Sequence, residues 1–230
     1  MATRTLTINL DPATLSALQA SGFHLYAFLP MASSNKSGVP LVWLRIDSYL
    51  ETIPITYTST ALTAYISTSP IAANQAVAVG ASTPVAAGQT VYVASGGALN
   101  ATSGAPTGDI YLSNDAGMPY TGGLTVAYQS AVTPCCGFAL YPSISVTLAP
   151  LDAIFVMWAT STYDPAVYMA QCLGPGLFVQ FAGNAQRSVT YDITQGWGAG
   201  GATWATAVPA GANLVQTLIV NPGKNQPRRP

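Results

Sequence analysis

Fifty-seven consecutive residues, 52–108, contain no Asp, Glu, Lys or Arg, and the stretches 116–151 and 193–223 are equally empty. Disordered segments are charged and poor in β-branched and aromatic residues. These stretches carry Ile, Val, Tyr and Trp throughout. They therefore fold, and they fold without the charged outer surface that most soluble domains present. Over the 230 residues, charged side chains make up 7%, against about 25% in an ordinary domain. Such a surface is solvated by Ser, Thr, Asn, Gln and backbone, or it is covered by copies of the chain. The net charge of −1 gives nothing that recruits nucleic acid or an anionic membrane.

The pattern of the uncharged stretches is that of strands and turns. Short runs rich in Val, Ile, Thr and Tyr recur, with Gly, Pro, Asn and Asp between them. The expected fold class is all-β, a β-sandwich or jelly roll. One helix is expected, over residues 12–20: Asp11 caps it, Pro12 suits the first turn, Leu15 and Leu18 share a face, and Gly22 ends it. Residues 53–68 read as one long or bent strand, 166–171 and 214–220 as strands, and 153–159 (AIFVMWA) as a strand buried on both faces.

A spacing of apolar residue, turn, and apolar residue six positions on occurs at Val85–Val91, Leu148–Ile154 and Val208–Leu214. It suggests two related lobes, 1–115 and 116–223, followed by a basic tail, 224–230, that holds three of the seven basic residues. The tail is too short to argue nucleic-acid binding.

No apolar run reaches the roughly 18 residues of a membrane-spanning helix. No signal core follows Met1, so synthesis in the cytosol is the expectation, with any release by a non-classical route. Cys135, Cys136 and Cys172 make no disulfide framework. As neighbours in a strand, Cys135 and Cys136 point to opposite faces. A Cys136–Cys172 or Cys135–Cys172 bridge is open to the chain, and buried thiols in a reducing compartment are the ordinary reading. With His24 as the only histidine, no metal site and no cofactor are expected.

The residues offer little to catalysis, and the chain is expected not to be an enzyme. Asp47 and Glu51 lie four apart near Arg45, which reads as a surface ion-pair group. His24 on its strand can face Asp47 or Ser48, but no G-x-S-x-G elbow holds a nucleophile for it. The glycine-rich 196–201 (GWGAGG) lacks the Lys of a phosphate loop.

Three functional expectations follow. The first is a self-associating structural or binding subunit, a homo-oligomer with sheet edges and uncharged faces buried between copies. The second is a lectin-like, carbohydrate-binding module in which Trp197 and Trp204 stack on a glycan and Tyr191 and Gln195 stand nearby. The third is a β-pore former, in which the Thr/Ser-rich 53–93 refolds as a membrane hairpin.

Overall fold

The computed structural model describes residues 3–35, 37–105 and 109–221, so the basic tail lies outside it. Among the described residues, twenty-one strands form four sheets. Sheet I runs β19 (Gly196–Gly198), β18 (Gln186–Asp192), β1 (Thr3–Leu10), β6 (Thr52–Thr58). Sheet II runs β10 (Leu99–Ser103), β9 (Gln89–Val93), β11 (Ile110–Asn114), β15 (Ser145–Pro150), β3 (Met31–Ser33), β21 (Ile219–Val220). Sheet III runs β4 (Val39–Pro40), β14 (Cys136–Leu140), β12 (Tyr120–Tyr128), β7 (Leu62–Ser67), β8 (Ala81–Val85), with β13 (Ala131–Pro134) also on β12. Sheet IV runs β20 (Ala205–Val208), β17 (Gly176–Gln180), β16 (Ala153–Ala159), β2 (His24–Phe28), β5 (Leu44–Ile46). The all-β, sandwich-like class expected from the pattern is the class observed.

Sheet I packs on sheet IV. Trp158 of β16 meets Tyr191 of β18 at 5.9 Å between ring centroids, and Tyr57 of β6 meets Phe181 at 6.3 Å. Sheet II packs on sheet III so closely that a Cβ on Gly122 of β12 would stand 2.5 Å from the Leu112 side chain of β11. Trp43 joins the two sandwiches. It stands edge-on to Tyr57 of sheet I and to Tyr128 of sheet III. One hydrophobic cluster draws residues from all four sheets.

The outer faces of sheets III and IV are covered by the chain itself. β16 is buried at every position. Ile154, Val156 and Trp158 face the main core, whereas Phe155, Met157 and Ala159 face a second cluster with Met169, Cys172, Leu214 and Leu218. Two-sided burial is why this strand reads as a continuous apolar run rather than an alternation. Tyr65 of β7 lies under a third cluster with Val39, Leu41 and Val77.

The predicted helix is α1 (Pro12–Ala20). Asp11 Oδ1 accepts from the amides of Ala13 at 2.9 Å and Thr14 at 3.0 Å, and Gly22 takes φ +66° beyond the end. Other expectations are corrected. Residues 53–68 are two strands, β6 and β7, in different sheets, because Ala61 N–H bonds Thr58 C=O and turns the chain between them. Residues 166–171 form only isolated bridges, at Val167, Tyr168 and Gln171. Residues 214–218 are a helix, α2 (Leu214–Leu218): Asn213 accepts from Gln216 N–H, and Leu214 and Leu218, four apart, are both buried.

The division after residue 115 does not separate the sheets. Each of the four contains strands from both sides of it. β1 pairs with β18 in parallel and β7 pairs with β12, so pairing across the chain overrides sequence order. The three similar spacings are corners. Val85 ends β8 in sheet III before β9 in sheet II, Leu148 lies in β15 of sheet II before β16 in sheet IV, and Val208 ends β20 before α2.

Candidate functional site

The four aromatic and polar candidates divide by environment. Tyr191 is buried, Gln195 is exposed, and Trp197 and Trp204 are half-buried against the core. Tyr191 and Trp197 are paired across β18 and β19, with centroids 4.8 Å apart. Trp158 and Tyr49 extend this contact inward, at 5.9 and 4.7 Å. The result is a column of four rings running from core to surface. Burial pushes the Tyr191 and Tyr49 hydroxyls above their usual range. The Trp197 indole N–H donates to Pro175 C=O at 2.8 Å. The guanidinium of Arg187 lies over the Trp204 ring at 4.6 Å and donates to the carbonyls of Gln180 and Phe181. Gln195 N–H donates to Asp192 Oδ1 in the turn between β18 and β19. Both indoles are thus engaged by the fold. Trp197 and Tyr191 are brought together, and Trp204 stands apart with Arg187.

A polar cluster forms where the sequence placed His24 opposite Asp47. His24 Nδ1 lies 2.8 Å from Asp47 Oδ1, in a bent contact that is an ion pair only when the ring is protonated. Arg45 holds Asp47 and Asp164, each at 2.9 Å. Burial opposes the Arg45 charge, but the hydrogen bond and charge of Asp47 outweigh it and hold the guanidinium above its ordinary value. The hydroxyl beside His24 Nε2 belongs to Thr162, at 3.4 Å, and Ser48 instead lines the adjoining groove. That groove is open, about 460 Å³, and bounded by Arg45, Asp47, Tyr49, Leu50, Tyr128 and Gln129. The arrangement has the order carboxylate–imidazole–hydroxyl. However, Asp47 is shared with Arg45 and the hydroxyl contact is long for a bond along which a proton moves.

The third feature is the outer faces of sheets I and II, which the sequence reading did not assemble. On sheet I, Thr3, Thr5, Thr7 and Asn9 of β1 alternate with buried Leu6, Ile8 and Leu10. Register places Thr5 between Thr56 and Gln186, Thr7 between Pro54 and Ser188, and Asn9 between Thr52 and Thr190. Thr5 and Thr56 hydroxyls are 2.9 Å apart, and Asn9 donates to Ser188 Oγ at 3.0 Å. The charges these strands carry in their interior positions point the other way. Arg4 forms a fork to Asp152, at 2.6 and 3.0 Å, and lies 5.8 Å from the Phe181 ring. That fork raises the Arg4 pKa. On sheet II, register aligns Asn100, Tyr92, Ser113 and Ser145 in one row and Thr102, Thr90, Tyr111 and Thr147 in the next. Apart from Pro54 and the terminal Asp192 on sheet I, these rows are hydroxyl and amide, joined on sheet II by the phenols of Tyr92 and Tyr111.

Cys135, Cys136 and Cys172 are buried free thiols. The Cys136–Cys172 bridge is not formed, since Cys136 packs in the main core and Cys172 in the cluster beyond sheet IV. Among the described residues, no group of three or more His, Cys, Asp or Glu is placed to hold a metal ion, and no helix is long and apolar enough to cross a membrane. Comparison with protein-family models, with curated proteins and with solved structures finds nothing that matches this chain.

Proposed function

We propose that the chain is a non-enzymatic subunit that associates with copies of itself through the outer face of sheet I. The observation that carries this reading is the inverted placement of charge. Arg4 and Arg187 lie on the core side of β1 and β18, while the outer side holds Thr3, Thr5, Thr7, Asn9, Ser188 and Thr190, with one carboxylate, Asp192, at the end of β18, where it accepts from Thr194 and Gln195 of the next turn. A solvated sheet face tolerates Lys and Glu at no cost. A face that is to be covered does not, because each buried charge costs several kcal/mol to desolvate. A hydroxyl that exchanges water for a protein partner comes out near even or better.

Hydroxyls also donate and accept, so two such faces related by a two-fold axis are self-complementary without charge matching. Neighbouring positions repeat at about 4.8 Å across strands and about 6.8 Å along them, which gives a regular lattice for such a contact. Edge pairing is disfavoured at three of the eight sheet edges. Pro54 lies in edge strand β6, Pro84 in edge strand β8, and Pro40 in edge strand β4.

Sedimentation velocity over a wide concentration range, at low and high salt, tests the reading. Discrete oligomers that persist in high salt are expected. A monomer at every concentration overturns it. Trp197 and Trp204 lend less to the glycan reading than their sequence context implied, because each is already engaged within the chain.

A further inference from the structure

We propose that Cys135 and Cys136 form a two-thiol binding site for a thiophilic trivalent centre of the organoarsenical type. The geometry rests on strand register. β12 pairs with β14 through Tyr120↔Leu140, Thr121↔Ala139 and Gly122↔Phe138. The same strand pairs with β13 through Thr125↔Pro134 and Val126↔Thr133. Between these two sets, β12 has two residues, 123 and 124, and the opposite chain has three, 135, 136 and 137. One extra residue is a β-bulge, and a bulge breaks the alternation of side chains. Neighbours that a regular strand would send to opposite faces are both turned into the core, and both belong to the main cluster.

Several contacts fix the bulge. Cys135 N–H donates to Leu124 C=O at 2.9 Å, and Cys135 Sγ contacts the same carbonyl. Tyr65 O–H donates to Cys136 C=O at 2.8 Å. Gly123 has no Cβ because one would stand 2.1 Å from that carbonyl oxygen. The neighbouring Cys136 thiol is the largest influence holding Cys135 protonated, ahead of burial, so the two thiols are near enough to act on each other.

The choice of ligand follows from the spacing. Adjacent Cα atoms are about 3.8 Å apart, below the range of about 4.4–6.8 Å that unstrained disulfides span. A direct S–S bond here is therefore strained and easily reduced. A trivalent arsenic inserted between the sulfurs lengthens the ring and removes that constraint. In the reaction with an arsenoxide, two S–H bonds break and two As–S bonds form. The oxo oxygen leaves as water with both protons, and no oxidation state changes. Access runs past β13, a four-residue strand whose Ala131 and Val132 are exposed and which pairs only with the end of β12. Its opening is a local event of low cost. Behind Cys135 lies a cavity of about 20 Å³ lined by Met31, Tyr57, Leu62 and Val126, roughly room for one water.

The test incubates the native chain with phenylarsine oxide, removes the excess and titrates thiols in denaturant. The free chain has three titratable thiols. One remaining thiol after treatment, with one arsenical per chain by mass, is expected. Cys172→Ala should still take up one arsenical, whereas Cys135→Ala and Cys136→Ala should each lose it. Far-ultraviolet circular dichroism confirms that each variant is folded. Three thiols after native treatment, or an adduct that survives in a folded Cys136→Ala chain, overturns the proposal.

Discussion

The Trp43 indole N–H donates to the Val126 carbonyl at 3.0 Å in the seam where the two sandwiches meet, with both residues buried. The bond ties the segment between β4 and β5 to β12 of sheet III, while Tyr57 and Tyr128 stand edge-on to the indole. Edge-to-face pairs add about 0.5–1.5 kcal/mol beyond their area. A buried hydrogen bond contributes about 0.5–1.5 kcal/mol net. Trp43→Phe keeps an apolar ring and removes the donor, and should lower stability by about 1 kcal/mol in urea titration. Trp43→Ala should cost about 3–5 kcal/mol.

Asn114 is fully buried and all three of its side-chain bonds are made. Nδ2 donates to Met118 and Leu140 carbonyls at 2.9 and 2.8 Å, and Oδ1 accepts from Ala116 N–H at 3.0 Å. It fastens the 115–119 loop to the end of β14. Asn114→Ala leaves two carbonyls and an amide without partners and should cost about 3 kcal/mol or more. Asn114→Asp should be at least as damaging at neutral pH, because a carboxylate would face the two carbonyls it replaces a donor to. Recovery of Asn114→Asp stability on acidification, followed by the thermal midpoint, checks the mechanism.

Alkaline pH should destabilise the fold. Burial pushes the Cys172 thiol up to about 11, against about 8.5 for a free cysteine. The unfolded chain therefore loses this proton first. The stabilisation is complete below the unfolded pKa and is lost as pH rises to the folded value. Tyr65, raised well above its ordinary value by burial, acts in the same direction at higher pH. Denaturation midpoints measured from pH 8 to pH 11 should fall, and Cys172→Ala should flatten the lower part of that slope while leaving the upper part.

Charge placed on the outer face of sheet I should separate subunits without unfolding them. Thr5 and Thr56 are directly opposite and their hydroxyls touch. Thr5→Glu with Thr56→Glu sets two carboxylates side by side on each copy. Like charges directly opposite on a sheet cost up to about 1 kcal/mol, small against the roughly 5–15 kcal/mol of a folded domain. The doubly substituted chain should sediment as a monomer under conditions where the parent associates. An unchanged oligomer would remove sheet I from the interface.

The alternation in TRTLTINL and TIPITYT states which residues of β1 and β6 face inward, because the strand period of two needs no tertiary information. The N-terminal helix was legible for a similar reason: Asp11, Pro12 and Gly22 act locally. The absence of charge from three long stretches also belonged to the sequence alone. It bounded the surface chemistry before any strand was placed.

Which strands become neighbours was decided only by the tertiary structure. Nothing local says that β1 pairs with β18, 181 residues later in register, or that β6 and β7 part at Ala61 into different sheets. Parallel and cross-chain pairing depends on burying faces whose partners are far away in sequence. For the same reason Trp197 and Trp204 looked available in a glycine-rich turn and are engaged by Pro175 and Arg187. Cys135 and Cys136 looked divergent and converge, because a one-residue slip between the pairing of β13 and of β14 on β12 is a property of three strands together. The uncharged rows on the outer faces of sheets I and II took shape only when register set Thr5 beside Thr56 and Tyr92 beside Ser113.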